Sequence, residues 1–133
     1  MYAQQNTHRH SVVIADGNSW FLERIDPILN DLYSDILWIP MHCADKLLQY
    51  CTEHSPELLI IDFSIEGMHL VDVVKLLRQQ SYTGRIAVSS FYEGALYADF
   101  ALEAGADTYF DKSMLMDFLR HELLLLPEGI SVH

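Results

Sequence analysis

The sequence predicts an α/β fold in which a five-stranded parallel sheet is covered on both faces by five helices. Three observations predict it. Apolar runs of strand length alternate with segments of helical period, which is the signature of βα units. The strand-length runs are continuously apolar, as suits strands buried on both faces. At 133 residues, half of them hydrophobic, the chain has the size of one domain with enough apolar residues for a core, unlike a disordered or fibrous chain.

Residues 1–10 are polar and read as a mobile tail, with His8, Arg9 and His10 solvated rather than gathered around a metal. Val12, Val13, Ile14 and Ala15 form the first strand, an unbroken apolar run ending at Asp16. Phe21, Ile25, Ile28, Leu29 and Leu32 then repeat at helical spacing, with Asn18 or Ser19 as the N-cap. Pro27 inside this repeat should kink the helix or mark an early turn. Residues 36–39 read as a second strand stopped by Pro40, and residues 45–54 as a second helix with Leu47, Leu48 and Cys51 inward. Leu58, Leu59, Ile60 and Ile61 make the clearest strand, which again ends at an aspartate, Asp62. Leu70, Val73, Val74 and Leu77 give the third helical stripe. Gly84 breaks the chain before the strand Ile86, Ala87 and Val88, which runs into Ser89 and Ser90. Residues 94–104 place Ala95, Ala98, Ala101 and Leu102 on one helical face, and Gly105 suits the left-handed position after a helix. Thr108, Tyr109 and Phe110 form a short strand leading to Asp111 and Lys112. Leu115, Phe118, Leu119 and Leu123 mark the fifth helix. Strict alternation with right-handed crossovers favours a doubly wound, flavodoxin-like sheet of order 2-1-3-4-5. Residues 11–126 form the domain, and residues 127–133, with Pro127 and Gly129, read as a tail or the start of a linker.

The net charge is −11. An acidic domain is a poor match for nucleic-acid phosphates, and no apolar run approaches a membrane span. Acidic clefts that gather a divalent cation fit better. The two cysteines, Cys43 and Cys51, form no CxxC pair and have no histidine at zinc-finger spacing. They read as free thiols in a reducing cytoplasm.

The polar residues at the strand ends carry the chemistry. Asp16, Asp62, Ser89-Ser90 and Lys112 follow the first, third, fourth and fifth strands. In a parallel sheet these ends share one edge, where ligands bind near the topological switch point. Two carboxylates close together repel unless a cation sits between them, and Mg²⁺ takes one or two carboxylates plus waters and phosphate oxygens. Asp62 is then a nucleophile able to form an acyl phosphate. Lys112 can neutralise phosphoryl charge and a serine hydroxyl can hydrogen-bond it.

On these residues the chain resembles the receiver domains of two-component response regulators. The stretch from Pro56 through Asp62 looks like the family's third strand and phosphoacceptor. Gly67-Met68 looks like the loop that follows. Gly105-Ala106-Asp107-Thr108-Tyr109-Phe110-Asp111-Lys112 is similar to the segment that delivers the family's lysine. Counting back from Lys112 places the family's Ser/Thr at Ser90 rather than Ser89. Tyr109 falls where the family often has an aromatic that changes rotamer. The wording is closest to regulators carrying a LuxR-like DNA-binding domain.

The resemblance implies phosphotransfer to Asp62 from a sensor histidine kinase or phosphotransfer protein. It also implies Mg²⁺ on Asp16, Asp62 and the Ser64 backbone carbonyl, and a switch through Ser90 and Tyr109. That switch would remodel the surface of the fourth helix, fifth strand and fifth helix, which could also serve a homodimer. Three positions depart from the pattern, one being Ser113, which follows Lys112 where the family often has proline. Gly17 replaces the usual second acid and should weaken Mg²⁺ binding, unless Asp16 substitutes or Glu66 reaches in. Phe91 follows Ser90 where the family prefers a small residue, and its ring could restrict access to Asp62. Gly17 and Phe91 leave open the alternative of a pseudo-receiver, a binding or dimerisation module that works without phosphorylation. An enzyme on a similar fold has less support: Ser64 stands where a haloacid dehalogenase-like phosphatase needs a second aspartate. No glycine-rich nucleotide loop occurs.

Trp20 and Trp38 read as packing residues, and His121 as a solvated helix residue. Phe91, Tyr92 and Tyr97 are candidates for a partner surface. Residues 123–126, all leucine, either tuck into the core or mark a contact.

Overall fold

The computed structural model describes residues 10–91 and 95–126. His8, Arg9, Tyr92, Gly94 and residues 127–133 lie outside the described residues. The described chain alternates strand and helix as β1 His10–Ala15, α1 Ser19–Leu32, β2 Ile36–Met41, α2 Ala44–Glu53, β3 Leu58–Asp62, α3 Leu70–Gln79, β4 Arg85–Ser90, α4 Ala95–Ala104, β5 Thr108–Asp111 and α5 Leu115–Glu122. Short 3-10 turns at Lys112–Met114 and Leu123–Leu125 flank α5. The strands pair in parallel in the order β2-β1-β3-β4-β5, the flavodoxin-like arrangement that the alternation predicts.

Strand side chains alternate between faces, so each central strand feeds two cores. Val13, Ala15, Leu59, Ile61, Ile86 and Val88 pack under α2, α3 and α4. Val12, Ile14, Leu58, Ile60, Ala87 and Phe110 pack under α1 and α5. This double burial is why the strands read as continuous apolar runs.

Several local expectations are corrected. The first strand starts at His10, inside the stretch assigned to the tail. His10 is buried, and its Nδ1 lies 3.1 Å from Glu57 Oε2 while the Ser11 amide donates to Glu57 Oε1. Helix α1 runs through Pro27 without ending. Pro27 and Glu23, whose carbonyl the missing N–H leaves without its helix bond, both lie on the exposed side of the helix. Strand β2 continues through Pro40 to Met41 because it is an edge strand, where proline is tolerated. On α4, Ala98 and Ala101 are buried but Leu102 is exposed. The leucine run divides: Leu123 is core, Leu126 packs against it, and Leu124 and Leu125 are exposed. Trp38 is buried with its indole N–H on the Tyr33 carbonyl, whereas Trp20 is exposed under the Arg24 guanidinium. Cys51 is buried and Cys43 half-buried, both free thiols.

Gly105 has φ +126°, and a Cβ there would come within 2.6 Å of Arg78 Cγ. The bare backbone lets Arg78 Nε reach the Gly105 carbonyl.

Candidate functional site

The same alternation that builds the cores aims the polar groups. Asp16 lies two residues beyond Ile14, Asp62 beyond Ile60, Ser89 beyond Ala87 and Lys112 beyond Phe110. All four therefore fall on the α1/α5 face at the carboxyl edge of the sheet. All four are nearly fully buried. Lys112 Nζ lies 2.5 Å from Asp16 Oδ2 and 3.7 Å from Asp62 Oδ2. The convergence expected from the sequence is thus present for the two acids and the lysine.

The hydroxyl on Asp62 comes from Ser89, whose Oγ donates to Asp62 Oδ1 at 2.9 Å. Ser89 is the register partner of Asp62 across β3 and β4. Ser90, the position singled out by counting, is buried at the end of β4 opposite Asp111. Alternation assigns Ser90 to the other face, with Val88 and its register partner Tyr109. Ser90 and Tyr109 therefore share the α4 side of the sheet, while Ser89 shares the face of Asp62. The period of two, applied to the strand's last two residues, was the signal that separates the serines.

Local turns complete the site. The Asp111 carboxylate caps the 3-10 turn that starts at Lys112, accepting from the Ser113 amide at 2.9 Å and its hydroxyl at 2.8 Å. These two bonds, the amide's first, hold the Asp111 carboxyl below its ordinary range. The turn directs Lys112 inward, a role that counting residues did not reveal. There the ammonium sits 4.3 Å from the Phe21 ring centroid and 5.1 Å from that of Phe91. Phe91, itself exposed, stands over the lysine as part of an aromatic cover. Phe63 meets Tyr97 of α4 edge-on at 5.6 Å.

Ser64 joins the two acids from the loop side. Its amide donates to Asp62 Oδ2 at 2.9 Å and its hydroxyl to Asp16 Oδ1 at 3.0 Å. The Gly17 amide donates to the Ser64 hydroxyl and the Asn18 amide to Asp16 Oδ1. Glu66 lies over position 17, its Cγ 3.3 Å from where a Cβ on Gly17 would stand, but no group of three His, Cys, Asp or Glu side chains gathers as a metal cluster among the described residues. Asp16, Asp62 and the Ser64 carbonyl are hard oxygen donors of the kind Mg²⁺ takes, so the residues fit that ion with two carboxylate arms.

The recess bounded by Ile14, Phe21, Asp62, Ser89, Lys112 and Leu115 is about 10 Å³, room for one water. A far larger hollow of about 610 Å³ lies at the opposite sheet edge, among Arg78, Tyr82, Arg85 and Asp107. Its charged groups are already paired, so size does not mark the chemistry here.

The family model described as the response regulator receiver domain matches residues 12–124. A two-component response regulator from Clostridium difficile superposes with a TM-score of 0.77 at 15% identity, covering 87% of this chain and 93% of that one. A LuxR-family response regulator from Aurantimonas gives 0.73 at 18%, covering 85% and 84%. The receiver domain of a sensor histidine kinase from Pseudomonas aeruginosa, with a magnesium ion coordinated in its active-site cleft, gives 0.70 at 13%, covering 84% and 95%. A comparison with curated proteins finds no match.

Proposed function

The chain belongs to the family of response regulator receiver domains, and on that footing we propose that Asp62 accepts a phosphoryl group from a phosphohistidine of a sensor histidine kinase or phosphotransfer protein. The observation that carries this reading is the convergence of Asp16, Asp62, Ser89 and Lys112 in one buried notch. An Asp62 oxygen attacks phosphorus. A P–O bond forms as the P–N bond breaks, and the bonding pair leaves with the imidazole nitrogen. Lys112 swings from Asp16 toward the phosphoryl oxygens, and Ser90, the last residue of β4, turns its hydroxyl from the α4 side over the strand end to one of them.

Mg²⁺ would be held by Asp16, Asp62 and the Ser64 carbonyl, weakly because Gly17 offers no further acid. When bound it offsets phosphoryl charge. The adduct adds roughly 1.5 to 2 negative charges, and Ser90 and Tyr109 respond on the α4 side. The output is the α4-β5-α5 surface, where exposed Tyr97, Phe100 and Met114 support a protein contact, including a homodimer. The domain works in the cytoplasm without binding nucleic acid itself, and its own chemistry is limited to gaining and losing the phosphoryl group. No helix among the described residues is long and apolar enough to cross a membrane.

The competing reading, a pseudo-receiver that binds or dimerises without phosphorylation, draws on the donor found at every carboxylate oxygen of Asp16 and Asp62. Intact-mass spectrometry after incubation with acetyl phosphate and Mg²⁺ separates the two. A single phosphoryl mass gain, absent in Asp62→Asn, is expected. An unchanged mass in the wild-type protein, with no tryptophan fluorescence response to beryllofluoride, selects the pseudo-receiver.

A further inference from the structure

The absence of a second acid at position 17 is tied to a particular neighbour. An ideal Cβ on Gly17 would overlap the Ser64 carbonyl oxygen and come within 2.8 Å of the Ser64 carbonyl carbon. Both are backbone atoms, which cannot swing aside as a side chain can. The loop that carries them is held on three sides. Ser64 bonds Asp16, Asp62 and Gly17. The Ile65 amide bonds the Asp62 carbonyl at 3.1 Å. Glu66 bonds the chain before α2 twice, accepting from the Ala44 amide at 2.8 Å and donating to the His42 carbonyl at 3.2 Å.

Among the described residues, Ser64 is also the one loop residue whose donors reach both acids, its hydroxyl on Asp16 and its amide on Asp62. From the opposite side Lys112 spans the same pair. A cation that bridges the two carboxylates must displace one of these spanning groups. Lys112 is buried under two aromatic rings, whereas Ser64 sits on an exposed loop turn.

We infer that Ser64 is a positioning residue that latches the cation site: its hydroxyl ties Asp16 and Gly17 to the loop, so that Mg²⁺ enters only when that hydroxyl lets go, while the Ser64 carbonyl stays beside the site as a ligand. Gly17 is then the residue that the latch requires, rather than merely a lost ligand. The inference rests on the reading of Asp16 and Asp62 as the Mg²⁺ ligands.

The test is Mg²⁺ affinity, measured by isothermal titration calorimetry and by the Mg²⁺-dependent shift in Tm. The set is the wild-type protein, Ser64→Ala, Ser64→Thr, Gly17→Asp and Gly17→Asp/Ser64→Ala. Removing the hydroxyl frees Asp16 Oδ1 from the loop, so Ser64→Ala should bind Mg²⁺ about tenfold more tightly, the scale on which partners of metal ligands act. Ser64→Thr keeps a hydroxyl and should stay at the wild-type affinity. Gly17→Asp alone should lower Tm without tightening Mg²⁺, because the new side chain meets the latched carbonyl. Adding Ser64→Ala should release the effect of the acid, so the double variant tightens by more than the product of the single changes. Equal affinity in the wild type and Ser64→Ala overturns the latch and leaves the ligand reading standing. So does a Gly17→Asp variant of unchanged Tm that binds as tightly as the double variant. Absence of Mg²⁺ binding in all five proteins overturns both.

Discussion

The two edges of the sheet both carry charge, and they balance it differently. At the amino edge the charged groups around β1, β3, β4 and β5 are matched. Arg78 donates to the Gly105, Tyr82 and Gly84 carbonyls and pairs with Asp107 at 3.0 Å, Arg85 pairs with Glu122, and His10 meets Glu57. At the carboxyl edge two aspartates share one lysine. The amino edge uses charge as fastening, with acceptors supplied by the loops it joins. The carboxyl edge keeps one negative charge in excess and, with it, the capacity to take a cation. A larger hollow at the fastening edge and a cavity of one water at the reactive edge make the same point: charge imbalance, and not volume, distinguishes the site.

Removing the cation at each edge sharpens this contrast. Lys112→Met leaves both aspartates buried without their shared partner and should cost about 3–5 kcal/mol in urea denaturation. Added Mg²⁺ should recover part of that loss, since it supplies the charge the lysine removed. Arg78→Met should cost less, about 2–3 kcal/mol, because the carbonyls it abandons lie near solvent. Mg²⁺ should leave that variant unchanged. A Lys112→Met loss that is indifferent to Mg²⁺ would break the comparison.

The smallest effect concerns pH at the amino edge. Burial pushes the Glu57 carboxyl up, but the Ser11 amide and His10 outweigh it and hold the group below its ordinary value of 4.5. A carboxyl depressed in the folded state adds stability that is complete above that ordinary value and is lost as pH falls below it and through the lower folded value. Glu57→Gln should therefore lower Tm modestly at neutral pH, where that stability is fully present, and flatten the fall of Tm with pH below about 4.5, where the wild type loses it. The Cys51 thiol, pushed up to about 11 by burial, should stay unreactive to iodoacetamide in the native protein at pH 8.

Much of this was legible in the residues. Continuous apolar runs, helical stripes and the order of elements leave one sheet topology, and parallel strands bring Asp16, Asp62 and Lys112 to one edge whatever the loops do. Ser89 beside Asp62 was legible too, through the alternation it shares with Ala87, while counting along the chain assigned the family's hydroxyl position to Ser90. Pro40 misled because a proline ends a central strand but is harmless on an edge, and which strand lies at the edge is a property of the whole sheet.

What the sequence by itself determined is therefore what repeats locally: the period of each element and the face on which each strand residue falls. The tertiary structure alone decided which loops touch above the sheet. Ser64 meets Asp16 across 48 residues, and Gly17 must be bare because a carbonyl from that distant loop rests on it. No period encodes such contacts, since they depend on where two crossovers set their loops down.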